Sequence, residues 1–246
     1  MKIWAHRGCS QNYPENTITS FEKAMNIPGL TGIELDIQLS SDGELMVIHD
    51  ERVDRTTDGI GFVRDLSLKE LQNLHIYYGG APVEKIPTMR EVLELLKTSL
   101  ADGLQLNIEL KTSVYSYPGI EAKIVDMVKE FDVEDAIVYS SFYMESLIRI
   151  HRLVPNVEIG ALDSKVSDCL YKTLGLESIT NMKNIALHPC GNAMDIAPEC
   201  FAGRTVRAWF GGHLYPEKPT GGKMNLGRME DMGVTDVFLN EPERYL

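Results

Sequence analysis

Cysteine is scarce in this chain. Only Cys9, Cys169, Cys190 and Cys200 occur in 246 residues, and none falls in a C-x-x-C pair or a zinc-like spacing. They read as reduced thiols of a cytoplasmic protein. Long apolar runs are missing as well. The N-terminal Met1-Lys2-Ile3-Trp4-Ala5-His6-Arg7-Gly8 has three consecutive apolar residues, far short of the ~7–15 of a signal-peptide core. No stretch approaches the ~18 apolar residues of a membrane span. Positive charge is in deficit, with 24 Lys and Arg against 36 Asp and Glu and a net charge of −12. So acidic a surface repels nucleic-acid phosphates and argues against a nucleic-acid partner. Any anionic substrate then needs a local positive site or a metal. Low-complexity tracts, linkers and fixed-period repeats are absent too. With 43% hydrophobic and 24% charged residues, the composition excludes a disordered tail, a fibre and a coiled coil.

What is present is alternation. Candidate strands are Ile3–Ala5, Gly32–Ile37, Leu45–Ile48, Leu104–Leu110, Ala136–Ser140, Val157–Ala161, Ile185–His188, Val206–Phe210 and Asp236–Leu239. Helical spacing of apolar residues lies between them, at Thr17–Met25, Met89–Leu100, Ile120–Phe131, Tyr143–Leu153, Ser167–Leu174 and Leu226–Met232. Strand–helix alternation predicts βαβ units and a parallel sheet. The link from Leu39 to Glu44, with Ser41-Asp42-Gly43, is too short for a crossover, so it predicts an antiparallel hairpin. Setting aside the return strand leaves eight parallel strands in a chain of about 250 residues, the arithmetic of a (β/α)8 barrel. A doubly wound open sheet would want a Gly-rich phosphate loop after the first strand. His6-Arg7-Gly8-Cys9 is not one.

Barrel active sites form at the C-terminal ends of the strands, and charged residues interrupt the apolar runs there. Strand one ends in His6-Arg7-Gly8, strand two carries Glu34-Leu35-Asp36, the hairpin return ends in His49-Asp50, and the next strand reads Asn107-Ile108-Glu109-Leu110-Lys111. Glu34 and Asp36 are two apart and share a strand face. Ile33, Leu35 and Ile37 occupy the other face, which should meet the helices. Glu109 obeys the same alternation. Three converging carboxylates suit a hard divalent cation, Mg²⁺ or Ca²⁺ with Mn²⁺ also admissible, and the lack of a Cys or His cluster argues against zinc. A turn centred near Ser41-Asp42 would set Glu34 opposite His49. His6 and His49 then flank the carboxylates as a general acid and base. His75, His151 and His213 are expected to be structural. Arg7 and Lys111 match a phosphate. The set reads as phosphoryl chemistry.

His6-Arg7-Gly8, Pro14-Glu15-Asn16-Thr17, Glu34-Leu35-Asp36, His49-Asp50, Arg55-Thr56-Thr57-Asp58-Gly59 and Ile108-Glu109-Leu110-Lys111 resemble, in order, the motifs of the glycerophosphodiester phosphodiesterases. The likeness resumes at Ser140-Ser141-Phe142 and His188-Pro189. It implies a single TIM-barrel domain over residues 1–246 with a small insertion after the His-Asp motif, about 51–85. It implies Glu34, Asp36 and Glu109 as metal ligands, His6 and His49 as the acid–base pair, and Arg7 and Lys111 on the phosphate. The implied substrate is a small glycerophosphodiester, cleaved to sn-glycerol 3-phosphate and an alcohol. The resemblance carries no oligomeric state.

Two C-terminal motifs depart from the family. Trp209-Phe210-Gly211 replaces a Trp-Thr-Val-like run, and Leu239-Asn240-Glu241-Pro242 replaces Thr-Asp-x-Pro. Neither departure falls on an expected metal or acid–base position. Trp209 is either a pocket wall or a core residue. Glu15 and Asp50 are supporting acids, Glu15 orienting Arg7 or His6 or favouring the helix N-terminus. Asn16 is placed to cap the helix at Thr17–Met25, and Arg55 to Gly59 reads as a turn. Two other functions fit the same residues: a phospholipase-D-like enzyme on lyso- or sphingophospholipids, and a phosphate-ligand binder without turnover.

Overall fold

A computed structural model of the chain describes residues 1–183, 185–210 and 223–246. In chain order, β1 (Lys2–His6) leads to α1 (Ile18–Met25), β2 (Gly32–Leu39) and β3 (Leu45–Val47). An excursion follows, with α2 (Leu68–Leu71), β4 (Ile76–Tyr78) and β5 (Ala81–Glu84). The chain then runs through α3 (Met89–Ala101), β6 (Gln105–Leu110), α4 (Ile120–Phe131), β7 (Ile137–Ser141), α5 (Met144–Leu153), β8 (Glu158–Asp163) and α6 (Val166–Ile179). It ends with β9 (Ala186–Pro189), β10 (Arg207–Ala208), α7 (Leu226–Asp231) and β11 (Asp236–Leu239).

The main sheet runs β10-β11-β1-β2-β6-β7-β8-β9, with β3 attached to β2. Parallel bridges from Leu187 to Val206 and from Cys190 to Trp209 join β9 to β10 and close the ring. The result is a (β/α)8 barrel. Ile33, Leu35 and Ile37 are buried in the outer core with Phe21, Leu93 and Leu96 of the helices. Glu34 and Asp36 therefore point to the inside, since side chains alternate along a strand. The lower barrel holds a charged plug. Arg207, buried beside Trp4, pairs with Glu158 at 2.7 Å and Asp236 at 3.3 Å.

All nine expected strands are found. The helix expected at Ser167–Leu174 extends to Ile179, passing through Gly175. The strand expected at Val206–Phe210 is regular only at Arg207 and Ala208. The excursion after β3, to which the sequence pattern assigned no elements, has a small core of its own, including Val53, Val63, Leu71 and Ile76.

The hairpin register differs from expectation by one residue. Ile37 pairs with Val47 and Leu39 with Leu45, so the ladder does not set Glu34 opposite His49. The turn spans Ser40 to Glu44, closed by Ser40 N–H on the Glu44 carbonyl at 3.0 Å. Gly43 takes the left-handed φ of +84° that this longer turn requires. His49 still reaches the mouth, because the chain leaves the ladder after Ile48 and is no longer bound by strand alternation.

All four cysteines are free thiols. Among the described residues no helix is long and apolar enough to cross a membrane.

Candidate active site

The site begins where β1 stops. Arg7 and Gly8 both take left-handed backbone angles, φ +56° and +81°, and at Arg7 this costs of order 1 kcal/mol. Gly8 cannot carry a side chain here, because a Cβ would lie 2.7 Å from the backbone of Ser20. The turn directs the Arg7 N–H onto Glu34 Oε2 at 3.0 Å and its guanidinium toward Asp36. Arg7 Nε lies 3.3 Å from Asp36 Oδ2, and Arg7 Nη1 donates to Glu15 at 2.9 Å.

Glu34, Asp36 and Glu109 are buried, with a carboxylate oxygen of each within 4.8 Å of the others. β2 and β6 pair in register here, Asp36 opposite Glu109. Lys111 donates to Glu109 at 2.9 Å and stands 3.8 Å from Asp36. Arg7 and Lys111 bring two positive charges to three carboxylates, so one negative charge remains. Its effect falls on Glu34, whose carboxyl is pushed well above the usual range by burial and then by Asp36. Burial also raises Glu109. Burial works against Asp36 too, but His49, Arg7 and Lys111 outweigh it and hold Asp36 below the usual range. Asp36 Oδ1 is buried without a hydrogen-bond partner. An all-oxygen donor set with surplus negative charge and an unused buried acceptor fits a hard divalent cation.

The two histidines are held from opposite sides. His6 Nδ1 lies 2.6 Å from Asn240 Oδ1, and His6 Nε2 lies 3.9 Å from Glu34 Oε2. Burial, then the charge of Arg7, pulls the His6 ring down to about 3. His49 Nδ1 lies 2.6 Å from Asp50 Oδ1. The segment carrying His49 is pinned by buried Gln38, whose amide reaches the carbonyls of Ile48, His49 and Asp50, the last at 2.6 Å. His6, His49, Glu34, Glu109, Lys111 and Trp209 all line one cleft at the C-terminal mouth. A larger groove, about 460 Å³, opens at the other end of the barrel between α4 and α5 and has no histidine on its walls.

Every site residue expected from the sequence lies at this mouth, but several contacts differ from the simplest reading. Asn16 does not cap α1. Thr17 does, its hydroxyl accepting from Ser20 N–H at 3.2 Å, while Asn16 Nδ2 donates to Asp36 Oδ2 at 2.9 Å. Asn16 tolerates the φ of +56° that this inward turn demands. Asn240 does touch an expected acid–base residue, through His6, because β11 is the neighbour of β1. Trp209 lines the cleft and is also packed, its indole N–H donating to the His188 carbonyl at 3.1 Å. Glu15 orients Arg7. His75 pairs with Asp58 and His151 with Asn181, away from the cleft. His213 and Gly211 lie outside the described residues.

Three residues named in the sequence motifs were given no place in the site. Asn107 is two before Glu109 and shares its face, a signal that alternation offered. His188 ends a strand and is fully buried at the cleft. Arg55, in the expected turn, gave no signal of its contacts with Glu15 and Asp50.

A barrel with buried carboxylates, paired cations and two histidines at its C-terminal mouth has the architecture of a phosphoric diester hydrolase. The profile of the glycerophosphoryl diester phosphodiesterase family matches residues 6–193. A glycerophosphodiester phosphodiesterase of Caldanaerobacter subterraneus is 39% identical over 245 residues, 98% of this chain and 94% of that protein. One from Bacillus altitudinis is 45% identical over 168 residues, 67% of each chain. An Oleispira antarctica phosphodiesterase, solved in complex with the product sn-glycerol-3-phosphate, superposes with a TM-score of 0.78 at 26% identity, covering 99% of this chain and 94% of that one. The chain belongs to the glycerophosphoryl diester phosphodiesterase family, and the protein is an enzyme of that class.

Proposed function

We propose that the protein hydrolyses small glycerophosphodiesters to sn-glycerol 3-phosphate and an alcohol, using a divalent cation held by Glu34, Asp36 and Glu109. The observation that carries this reading is the triad within 4.8 Å, flanked by His6 and His49 in one cleft. The sn-glycerol-3-phosphate bound to the Oleispira relative supports a substrate of that size. Mg²⁺ or Ca²⁺ suits the oxygen donors, with Mn²⁺ as a third candidate. When bound, such an ion polarises a phosphoryl oxygen and acidifies a neighbouring hydroxyl.

Arg7 and Lys111 hold the phosphate. His6, kept neutral by burial, accepts a proton at Nε2 from the glycerol hydroxyl next to the phosphodiester. That oxygen attacks phosphorus while the bond to the departing alcohol breaks. His49, with Asp50 compensating the charge of its imidazolium, gives a proton to the leaving oxygen. Water opens the resulting cyclic phosphate with the histidine roles reversed. Glu15 and Asp50 support Arg7 and His49, and Trp209 forms a wall of the substrate cleft. The same reading takes residues 1–246 as one barrel domain with an insertion at about 51–85, and places it in the cytoplasm.

The test is release of sn-glycerol 3-phosphate from glycerophosphocholine, glycerophosphoethanolamine and glycerophosphoglycerol, with and without EDTA. Release that stops in EDTA and returns with Mg²⁺, Mn²⁺ or Ca²⁺ is expected. Full turnover in excess EDTA after exhaustive dialysis would overturn the metal assignment.

A further inference from the structure

Arg55 lies outside the barrel, in the excursion after β3, with 46% of its side chain exposed. Even so, its guanidinium is taken up by two acids from different segments of the mouth. Nη1 and Nη2 donate to the two oxygens of Glu15, at 2.8 and 2.7 Å. Nε and Nη2 donate to the two oxygens of Asp50, at 2.5 and 3.2 Å. Each acid then reaches a group with a part in the reaction. Glu15 Oε1 also accepts from Arg7 Nη1 at 2.9 Å, and Asp50 Oδ1 lies 2.6 Å from His49 Nδ1. The path Arg7–Glu15–Arg55–Asp50–His49 is continuous, and its charges alternate from Arg7 to Asp50.

We propose that Arg55 is a positioning residue that fixes the Glu15 and Asp50 carboxylates and, through them, holds the Arg7 guanidinium and the His49 ring against the phosphodiester. The proposal rests on the functional reading of Arg7 and His49 given above.

Exposed ion pairs ordinarily contribute little, so the geometry has to decide. Both contacts are forks that engage two carboxylate oxygens, which a planar guanidinium can make and an ammonium cannot. Arg55 also rides on a fixed turn. Val53 is buried in the excursion's core. Its N–H donates to the Gly61 carbonyl at 3.0 Å, and the Thr57 N–H donates to the Val53 carbonyl at 3.0 Å. The acids are less exposed than Arg55, Glu15 at 18% and Asp50 at 29%. Burial works to raise Glu15, but hydrogen bonds from Arg55 and the charge of Arg7 hold it at about 2. Glu15 is thus ionised over the whole working range and always able to hold both arginines. Without Arg55, each acid keeps one partner and loses the fork that sets its plane.

The experiment compares Arg55→Gln and Arg55→Lys with wild type in the full-length, Mg²⁺-saturated enzyme, reading kcat and KM for glycerophosphocholine and the melting temperature. Both variants are expected to lower kcat by roughly 10- to 100-fold, the scale of a misplaced reacting group, with KM within a few-fold. Arg52→Gln, which removes a cation that pairs with Asp54 and stacks on Phe62 in the same segment, should keep kcat. In a Glu15→Gln/Asp50→Asn background, Arg55→Gln should add little further loss. Wild-type kcat in Arg55→Lys would overturn the proposal, because charge alone would then suffice. So would wild-type kcat in Arg55→Gln, or an equal loss in Arg52→Gln. If Arg55→Gln melts below the assay temperature, Arg55→Lys decides by the same readout. Arg7→Ala and His49→Ala separate the two levels. Turnover kept by both would sink the underlying reading, whereas turnover lost by both and kept by the Arg55 variants would sink the bridge alone.

Discussion

His6 Nδ1 and Asn240 Oδ1 meet at 2.6 Å, so the ends of the first and last barrel strands, which are neighbours, share a hydrogen bond at the mouth. With a carbonyl oxygen as its partner, Nδ1 carries the proton, which makes Nε2 the basic nitrogen of the neutral ring. A neutral amide sets this tautomer without adding charge. Burial and Arg7 hold the ring at about 3, against 6.5 for a free imidazole. Between those values the unfolded chain binds a proton that the folded chain refuses, so this site costs stability as pH falls from 6.5 toward 3.

Asn240→Asp should reverse part of that. A carboxylate beside Nδ1 favours the imidazolium, so the His6 pKa should rise and the acid limb of kcat/KM should move to higher pH. The variant should also lose less stability on acidification than wild type. The measurement is a pH–rate profile from 3 to 8 at saturating metal, with melting curves over the same range. Superimposable profiles would show that His6 does not accept the proton.

The triad makes a prediction of opposite sign for stability. Glu34 has its pKa raised by burial and by Asp36. A raised carboxyl contributes stability below its unfolded value of about 4.3, and loses it as pH rises through the folded value. At neutral pH the metal-free protein therefore bears the cost of that charge. Glu34→Gln should melt at or above the wild-type temperature in EDTA, yet gain much less from added Mg²⁺. Wild type at a hundredfold excess over Kd should gain about 2.7 kcal/mol. A Glu34→Gln protein that melts lower in EDTA, or gains as much from Mg²⁺ as wild type, would remove Glu34 from the metal site.

His6→Ala and His49→Ala are each expected to lower kcat by roughly 10²–10⁴. His75 and His151 supply the controls, since they pair with Asp58 and Asn181 outside the cleft. Steady-state kinetics on all four variants is the check. Loss in either control as large as in His6→Ala would mean that placement at the mouth does not mark the acid–base pair.

How far these positions could be read from the sequence depended on the range of the rule involved. Strand alternation is local, and it sent Glu34, Asp36 and Glu109 inward correctly because Ile33, Leu35, Ile108 and Leu110 need the helices. Eight strands with short links left little choice of architecture. The one-residue error in the hairpin came from a turn whose length is set by Ser40, Asp42 and Gly43 together, and pairwise spacing does not encode that. Asn240 beside His6 requires knowing that the barrel closes β11 onto β1, a contact across 234 positions. Arg55 was illegible for a similar reason: its partners Glu15 and Asp50 come together only once the excursion folds back over the mouth. Asn16 was misread because Asn and Thr are both good caps, and only the inward turn at Asn16 decides between them.

The last prediction concerns the substrate's own hydroxyl. On the proposed route His6, whose Nε2 lies 3.9 Å from Glu34 Oε2, deprotonates an oxygen already tethered to the phosphodiester that Arg7 and Lys111 hold. Tethering gives such a nucleophile an effective concentration of about 10⁵–10⁸ M when aligned, far beyond what bulk water offers. Direct attack by water would not need the hydroxyl at all. Glycerophosphocholine is therefore compared with an analogue methylated at the hydroxyl next to the phosphodiester, at matched metal concentration. The internal route predicts that the analogue is not turned over but still inhibits, since its phosphate keeps the same cationic contacts. A transient cyclic glycerophosphate in the ³¹P NMR spectrum would agree with this. The analogue is the stronger test, because it removes one atom's reactivity and leaves the phosphate intact. Comparable kcat for the two compounds would eliminate the internal nucleophile and leave His6 or His49 activating water directly.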